Sequence, residues 1–318
     1  MQPSFGILHD FRQPLPHRES LTTYYTECLE ELVIAEELGF DTVWMPEHHL
    51  AADGMLPSPL VMAAAIAART QRIQIGTSIL VLPLHHPLRI AEDAAVVDLL
   101  SGGRLVLGIG QGYAAEEFAA FGVERRRRAQ LLEEGVAVLR QAWSGSPDFQ
   151  GKNDLQVTPK PERPIPLFIG GVTKAGLERA ARLGDGVIVY CATPADLLAR
   201  RRLLDELEID LPLVCTSVLH VAPDPDRAWA EAEPGIAYLE GQLAQYAGQG
   251  KQQRLNRDDY LVGTPAEVAD RLIALGRELR FSQFAHWARL PGLSHARASE
   301  TLRLVAAEVI PAVLSALR

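Results

Sequence analysis

The chain offers little that would pattern a disulfide, a zinc site or a membrane span. Its 318 residues include only three cysteines, Cys28, Cys191 and Cys215, with no CxxC pair among them. An odd number of scattered thiols reads as reduced cysteine in a cytoplasmic protein. No apolar run approaches the roughly 20 residues that cross a bilayer. Met1-Gln2-Pro3-Ser4 shows no basic segment with an apolar stretch behind it, so no signal peptide is expected. Acidic residues outnumber basic ones, and the formal net charge is −9. That balance argues against non-specific binding to nucleic acid or anionic membrane. No Rossmann fingerprint is present, so a tightly held nicotinamide is not expected. No composition shift marks a linker, and residues 1–318 are read as one domain.

What is present is alternation. Strand patterns fall at residues 4–8, 42–45, 73–82, 104–109, 167–169, 187–190, 213–221 and 281–287. Helical patterns fall at residues 21–38, 58–69, 86–100, 125–143, 174–183, 194–207, 226–247, 265–277 and 296–317. Alternating βα units imply a parallel sheet, and about eight of them at this length predict an α/β fold of the (β/α)8 TIM-barrel class. The segments Ala35 to Val43 and Ala180 to Ile188 both read helix, Leu-Gly, strand, and lie about half a chain apart, as two half-barrels would. Two stretches exceed a bare barrel, residues 144–166 and 248–260. Loops this long are usually functional or mobile, and either could be a lid.

The segment Gly39-Phe40-Asp41-Thr42-Val43-Trp44-Met45-Pro46-Glu47-His48-His49 carries the most information. Gly39 supplies the left-handed backbone that ends a helix. Thr42, Val43 and Trp44 favour a strand, and Pro46 stops it. Glu47, His48 and His49 therefore lie just past a strand's carboxyl end, where parallel α/β folds place chemistry. With His85-His86 beyond another strand, three readings stand. The histidines ligate a metal, pack loops, or include an acid–base group. The last is favoured for His48, because no histidine spacing demands a metal and imidazole titrates near neutral pH.

Three further stretches are candidates. Gly108-Ile109-Gly110-Gln111-Gly112-Tyr113 ends a strand with small residues that admit a planar or phosphorylated ligand, although a plain tight turn explains them equally. Gly170-Gly171-Val172-Thr173 leads into a helix. Free N–H groups and the helix dipole make such a turn an anion cradle, with an ordinary turn capped by Thr173 as the alternative. Arg125-Arg126-Arg127-Arg128 opens another helix. A charge run is usually a solvated face, but cations at a helix start oppose the dipole, and one or two could reach a phosphate.

Together these pieces resemble the bacterial luciferase-like flavin-dependent monooxygenases. Three blocks carry the resemblance. They are Leu-Gly-Phe-Asp-x-Val-Trp-x-x-Glu-His-His, the run from Pro83 to Asp93, and Ser101-Gly102-Gly103-Arg104-Leu105-x-Leu-Gly-Ile-Gly. Weaker matches follow at residues 164–186 and 262–267. The resemblance implies a barrel with loop insertions, a homodimer, and FMN used in its reduced form as co-substrate. Oxygen adds to that flavin to give a C4a-(hydro)peroxide, which oxidises a small organic substrate. His48 matches the family's catalytic histidine. Ser78–Ile79 matches a cis peptide beside the flavin ring. Gly110, Gln111, Gly170, Gly171, Val172 and Thr173 match the phosphate region. Glu47, His49, Tyr113 and Tyr190 are assigned to the substrate side.

Two departures matter. Luciferase carries Arg where this chain has Gln111, and Arg127 or Arg128 is expected to compensate; Arg128 is the residue assigned to the cofactor. A luciferase Trp near the sixth strand's end falls at Tyr190 or Cys191, so light emission is not implied. Glu47-His48-His49 favours FMN over a deazaflavin coenzyme, whose users more often carry Asp-His after the Trp. The expected function is thus a two-component monooxygenase fed by a separate flavin reductase. The alternatives are a deazaflavin-dependent hydride-transferring reductase and a non-catalytic flavin-binding protein.

Overall fold

Eight short strands, each followed by helix, close on themselves. The strands are β1 (Ser4–Leu8), β2 (Thr42–Met45), β3 (Gln74–Thr77, resumed at Leu80–Val81), β4 (Leu105–Gly110), β5 (Leu167–Gly170), β6 (Gly186–Tyr190), β7 (Leu213–Ser217) and β8 (Gln283–Trp287). Each pairs in parallel with the next, and β8 returns to β1 with Leu8 opposite Trp287. The computed structural model describes residues 2–15, 20–146, 148–153, 155–190, 193–246 and 255–318. It is a closed (β/α)8 TIM barrel, as the alternation predicts.

Side chains alternate along every strand, which separates two cores. Ile7, Val43, Ile75, Leu107, Ile169 and Val187 face outward to the helices. Leu8, Trp44, Val106, Ile188, Val214 and Ala285 fill the barrel itself. The interior layer works by pairing large against absent side chains. Trp44 stands opposite Gly76 in register, and a Cβ on Gly76 would come 2.3 Å from the indole. Phe168 stands opposite Gly186 in the same way, with a Cβ at 2.2 Å. The indole N–H of Trp44 donates to Gln283 Oε1 at 2.6 Å, and the Gln283 amide donates on to Ser4 and Thr42. That chain of bonds makes the barrel floor.

Several boundaries differ from the pattern. The run 73–82 is one strand interrupted by a cis Ser78–Ile79 peptide and ends in a 3₁₀ turn at Leu82–Leu84. The run 213–221 divides. Leu213–Ser217 joins the barrel, while Leu219–Val221 pairs with Leu261–Gly263 in a separate two-stranded sheet. A helix at Ala115–Ala120 follows β4 and was not expected. The arginine run forms a 3₁₀ turn, Arg125–Arg127, before the α-helix Arg128–Trp143 begins. The excursion 144–166 contains a small antiparallel pair, Asp148–Phe149 with Lys152–Asn153. Of the stretch 248–260, residues 248–254 lie outside the described residues; the rest includes a 3₁₀ turn whose Arg257 lies over the Trp229 ring at 5.1 Å.

The repeated Leu-Gly segments precede β2 and β6, which are opposite in the barrel, so the half-barrel reading holds at the level of elements. Their glycines do different work. Gly39 ends its helix at φ 89°, whereas Gly184 is extended, and a Cβ there would meet Ile169 at 2.7 Å.

A buried ionic cluster fastens the helix Leu21–Leu38 to the ends of β1 and β8. Glu31 is fully buried and accepts from His9 at 2.9 Å, from His295 at 3.0 Å and from Arg289 at 3.3 Å. His9 Nδ1 accepts the Phe11 N–H at 3.2 Å, which leaves Nε2–H as the donor to Glu31.

Candidate active site

The strand ends build one large cavity of about 370 Å³. It is within the range of small-molecule pockets and sits at the barrel's carboxyl end, as such folds require. Of the residues expected at a site, Glu47, His48, Ser78, Ile79, Gly110 and Gln111 line it. So do Tyr113, Gly170, Gly171, Val172, Thr173 and Tyr190. His49 and Arg128 do not line it.

His48 follows β2 and is held from two sides. Its backbone N–H donates to Leu56 O at 3.0 Å. Its ring Nδ1 lies 2.7 Å from Glu117 Oε1, which also accepts the His49 backbone N–H at 2.9 Å. A carboxylate accepts only, so the proton on this edge is on Nδ1. The Nε2 edge then accepts the Tyr113 hydroxyl at 3.1 Å. Glu117 belongs to the helix after β4 that the sequence pattern missed.

Glu47 points the other way from His48. It is 2% exposed, and its Oε1 is met by His49 Nε2 at 2.7 Å and His85 Nε2 at 2.5 Å. Its Oε2 accepts the Val81 N–H at 2.6 Å. Burial works to raise its carboxyl pKa, but the hydrogen bonds from His49 and His85, the charge of His85 and the Val81 N–H together hold it below the ordinary carboxylate range. The ligand atoms of Glu47, His49 and His85 lie within 4.8 Å of one another. In this arrangement they bond to each other and tie the loop after β2 to the end of β3. His49 is thereby turned to Glu47 and to the Phe121 ring, 4.5 Å away, and lies behind the cavity wall.

The turn after β5 opens a helix, as the sequence predicts. Thr173 caps the helix Lys174–Leu183, its hydroxyl accepting the Gly176 N–H at 3.2 Å. A Cβ on Gly171 would come 2.9 Å from the Gly176 backbone, so the turn lies directly on the helix start. First-turn N–H groups lack helical partners and point outward to any anion there. The glycines of β4 and β5 have a different reason from the expected one. A Cβ on Gly110 or Gly170 would strike Ile79, at 2.7 and 2.9 Å, so these glycines seat the Ile79 side chain.

The cation that lines the cavity beside this turn is not from the arginine run. Arg128 Nη1 donates to Arg125 O at 3.2 Å, away from the cavity. Arg179 lines the cavity instead, with its Nε 3.0 Å from Glu133 Oε1. Thr173, Gly176 and Arg179 recur every three residues, one helix face that the sequence already displayed.

Across the mouth, the end of β1 contributes Asp10 and Arg12, and β8 contributes Trp287. Sequence reasoning passed over His9-Asp10-Phe11-Arg12, although it too follows a strand's carboxyl end. In an eight-strand barrel β1 lies opposite β5, so this group faces the Gly171–Thr173 turn across the mouth.

The family model described as luciferase-like monooxygenase matches residues 4–283. An F420-dependent glucose-6-phosphate dehydrogenase of Amycolatopsis mediterranei is 36% identical over 174 residues, covering 51% of this chain and 52% of its own length. The chain spans about half the length of the first curated relatives it matches, 52% in each of two cases. The fold is shared with the monooxygenase RslO1 of Streptomyces bottropensis, TM-score 0.81 at 23% identity, covering 97% of this chain and 99% of that one. It is also shared with the FMN-bound oxygenating constituent of 3,6-diketocamphane monooxygenase of Pseudomonas putida, TM-score 0.77 at 18% identity, covering 98% and 99%. Among the described residues no helix is long and apolar enough to cross a membrane. The chain belongs to the luciferase-like monooxygenase family, whose members use a flavin or F420.

Proposed function

We propose that this enzyme is an FMN-dependent monooxygenase that oxidises a small organic substrate with O2, using reduced flavin from a separate reductase. The observation that carries the reading is the Glu117–His48–Tyr113 constellation, hydrogen-bonded in series at the wall of a largely apolar cavity. The cavity fits the cofactor on the chain's own terms. It has a helix-start cradle with Arg179 beside it at one end, and apolar walls at Ile79, Val81 and Ile188. When bound, reduced FMN supplies the electrons that activate oxygen.

The protein's part is positioning, water exclusion and proton handling. Thr173 and Gly171 shape the cradle that holds the phosphate, and Arg179 supplies its countercharge. Ile79, Val81 and Ile188 keep water from the reacting centre. Glu117 fixes the His48 ring so that Nε2 holds or transfers a proton at the substrate. The Tyr113 hydroxyl, which donates to Nε2 while that nitrogen is unprotonated and accepts from it once it is protonated, extends the relay. Replacing Arg179 with alanine should weaken binding of reduced FMN by about 10- to 100-fold, the loss of one charge-assisted phosphate contact. Fluorescence titration of the anaerobic enzyme measures it.

A second reading has its own support, the 36% identity to an F420-dependent dehydrogenase. One experiment separates them. The enzyme is mixed with a panel of small organic substrates and either reduced FMN or F420 in its oxidised or reduced form, with and without O2, and oxygen uptake and F420 absorbance are followed. Uptake and product with reduced FMN support the proposal. Binding and turnover with F420 alone, without oxygen uptake, would sink it. A homodimer belongs to the proposal too. Val61 (73% exposed) and Leu100 (62% exposed) lie on two helices packed side by side, Pro59–Arg69 and Pro87–Ser101. Sedimentation should give twice the 34.8 kDa chain mass, and the double variant V61D/L100D should sediment as a monomer.

A further inference from the structure

We infer that the substrate is uncharged and mainly apolar, that it lies on the β1–β8 side of the mouth, and that Asp10 and Asp53 enforce this by consuming the charge of Arg12. The inference deepens the monooxygenase reading and rests on it only in assigning the opposite side, at β5, to the cofactor. Arg12 is the one cation lining the β1–β8 side among the described residues, and at 5% exposure it is nearly enclosed. An arginine in a pocket ordinarily signals an anionic substrate, because its fork matches carboxylate, sulfonate and phosphate oxygens. Here the fork is turned to the protein. Nε lies 2.7 Å from Asp10 Oδ2, Nη1 lies 3.7 Å from Asp53 Oδ2, and Nη2 donates to Met55 Sδ at 2.7 Å.

Among the described residues, the two carboxylates of Asp10 and Asp53 against the Arg12 guanidinium form a group with a formal charge of −1. An anionic head would be repelled there in a site of low dielectric. A cationic head gains little either, because the carboxylate oxygens are already engaged. Asp10 Oδ2 also accepts the Trp287 indole N–H at 3.0 Å, and Asp10 Oδ1 accepts the Arg12 N–H at 3.3 Å. Asp53 accepts the Tyr238 hydroxyl at 2.9 Å and the Met55 N–H at 3.2 Å. The rest of this side is mostly apolar surface from Leu8, Met55, Leu239 and Trp287, with the uncharged amide of Gln242 among them and Tyr190 edge-on to Trp287 at 5.3 Å. A molecule with its reacting group at His48 and an apolar body toward Trp287 matches that surface. Selectivity comes as much from rejecting charged competitors as from attracting the substrate.

The test is binding of three ligands of equal chain length, octan-2-one, octylammonium and octane-1-sulfonate, by titration calorimetry with the FMN-loaded enzyme and again without FMN. The ketone should bind tightest, with the sulfonate and the ammonium each weaker by about tenfold or more. In Asp53→Asn, whose amide oxygen can still accept from Tyr238 or Met55, the sulfonate should gain about fivefold while the ketone moves less than about twofold. Sulfonate or ammonium binding as tightly as the ketone overturns the inference, as does failure of all three to bind. The ranking in the unaltered enzyme decides it even where Asp53→Asn does not fold. It is also read without turnover, so a negative oxygen-uptake result would count against the FMN reading and leave this one standing on its own measurement.

Discussion

Replacing His48 with alanine should cut turnover by about 10²- to 10⁴-fold, the usual contribution of a positioned acid–base group, and shift the Kd of reduced FMN by less than about threefold. The asymmetry follows from placement. His48 lies at the end of β2, bound to Glu117 at 2.7 Å and Tyr113 at 3.1 Å. The turn proposed to cradle the phosphate is at the end of β5, on the far side of the mouth. Removing the imidazole therefore deletes a proton-handling group without touching the anion site. Glu117→Gln should fall between parent and alanine variant. Its amide keeps the size of the carboxylate but no longer forces the proton onto Nδ1, so the share of correctly oriented tautomer drops. Steady-state kinetics paired with a binding titration check both variants. Unchanged turnover in His48→Ala would remove His48 from the mechanism.

The barrel was legible because its determinants are local. Period-two runs such as Leu105 to Ile109 bury both faces, and Gly39, Pro59 and Pro87 punctuate the helices where backbone geometry demands. What stayed hidden depends on register. Nothing in the sequence says that Gly76 faces Trp44 or that Gly110 and Gly170 make room for Ile79; those pairings exist only once the strands are aligned. Arg128 drew attention because charge density is visible in sequence, while Arg179 is one arginine on an ordinary amphipathic helix. The side on which a helix presents a residue, rather than local charge, decides which cation reaches the cavity. Arg12 was missed for a related reason. Its meaning lies in Asp10 and Asp53, and the second of these is brought beside it by the loop after β2.

The largest stability effect should come from outside the cavity, at Glu31. Glu31→Ala removes one carboxylate from the buried Arg289 guanidinium, which keeps Glu27 at 2.9 Å, and strips the acceptor from His9 and His295. Removing one partner of a buried ion pair costs about 3–5 kcal/mol, because the remaining charge stays desolvated. For a chain of this size that is a fall in Tm on the order of 10 °C. The pH profile distinguishes this from simple loss of packing. Burial works to raise the Glu31 pKa, but the hydrogen bonds from His295 and His9 and the charge of Arg289 outweigh it and hold it below the ordinary 4.5. A carboxylate with a lowered folded pKa contributes stability above its unfolded pKa and loses it as pH falls through the folded value. His295 moves oppositely. Its hydrogen bond to Glu31 raises it above the ordinary 6.5, so its contribution is complete below that pH and fades as pH rises through the folded value. The cluster should therefore stabilise most between these limits, in mildly acidic solution. Chemical denaturation of parent and Glu31→Ala from pH 4 to 8 should show the gap between them widest near about pH 5–6 and narrowing on both sides. Glu31→Gln keeps an acceptor for one partner and should lose less. A gap that does not change with pH would show that Glu31 acts through its shape and not its charge.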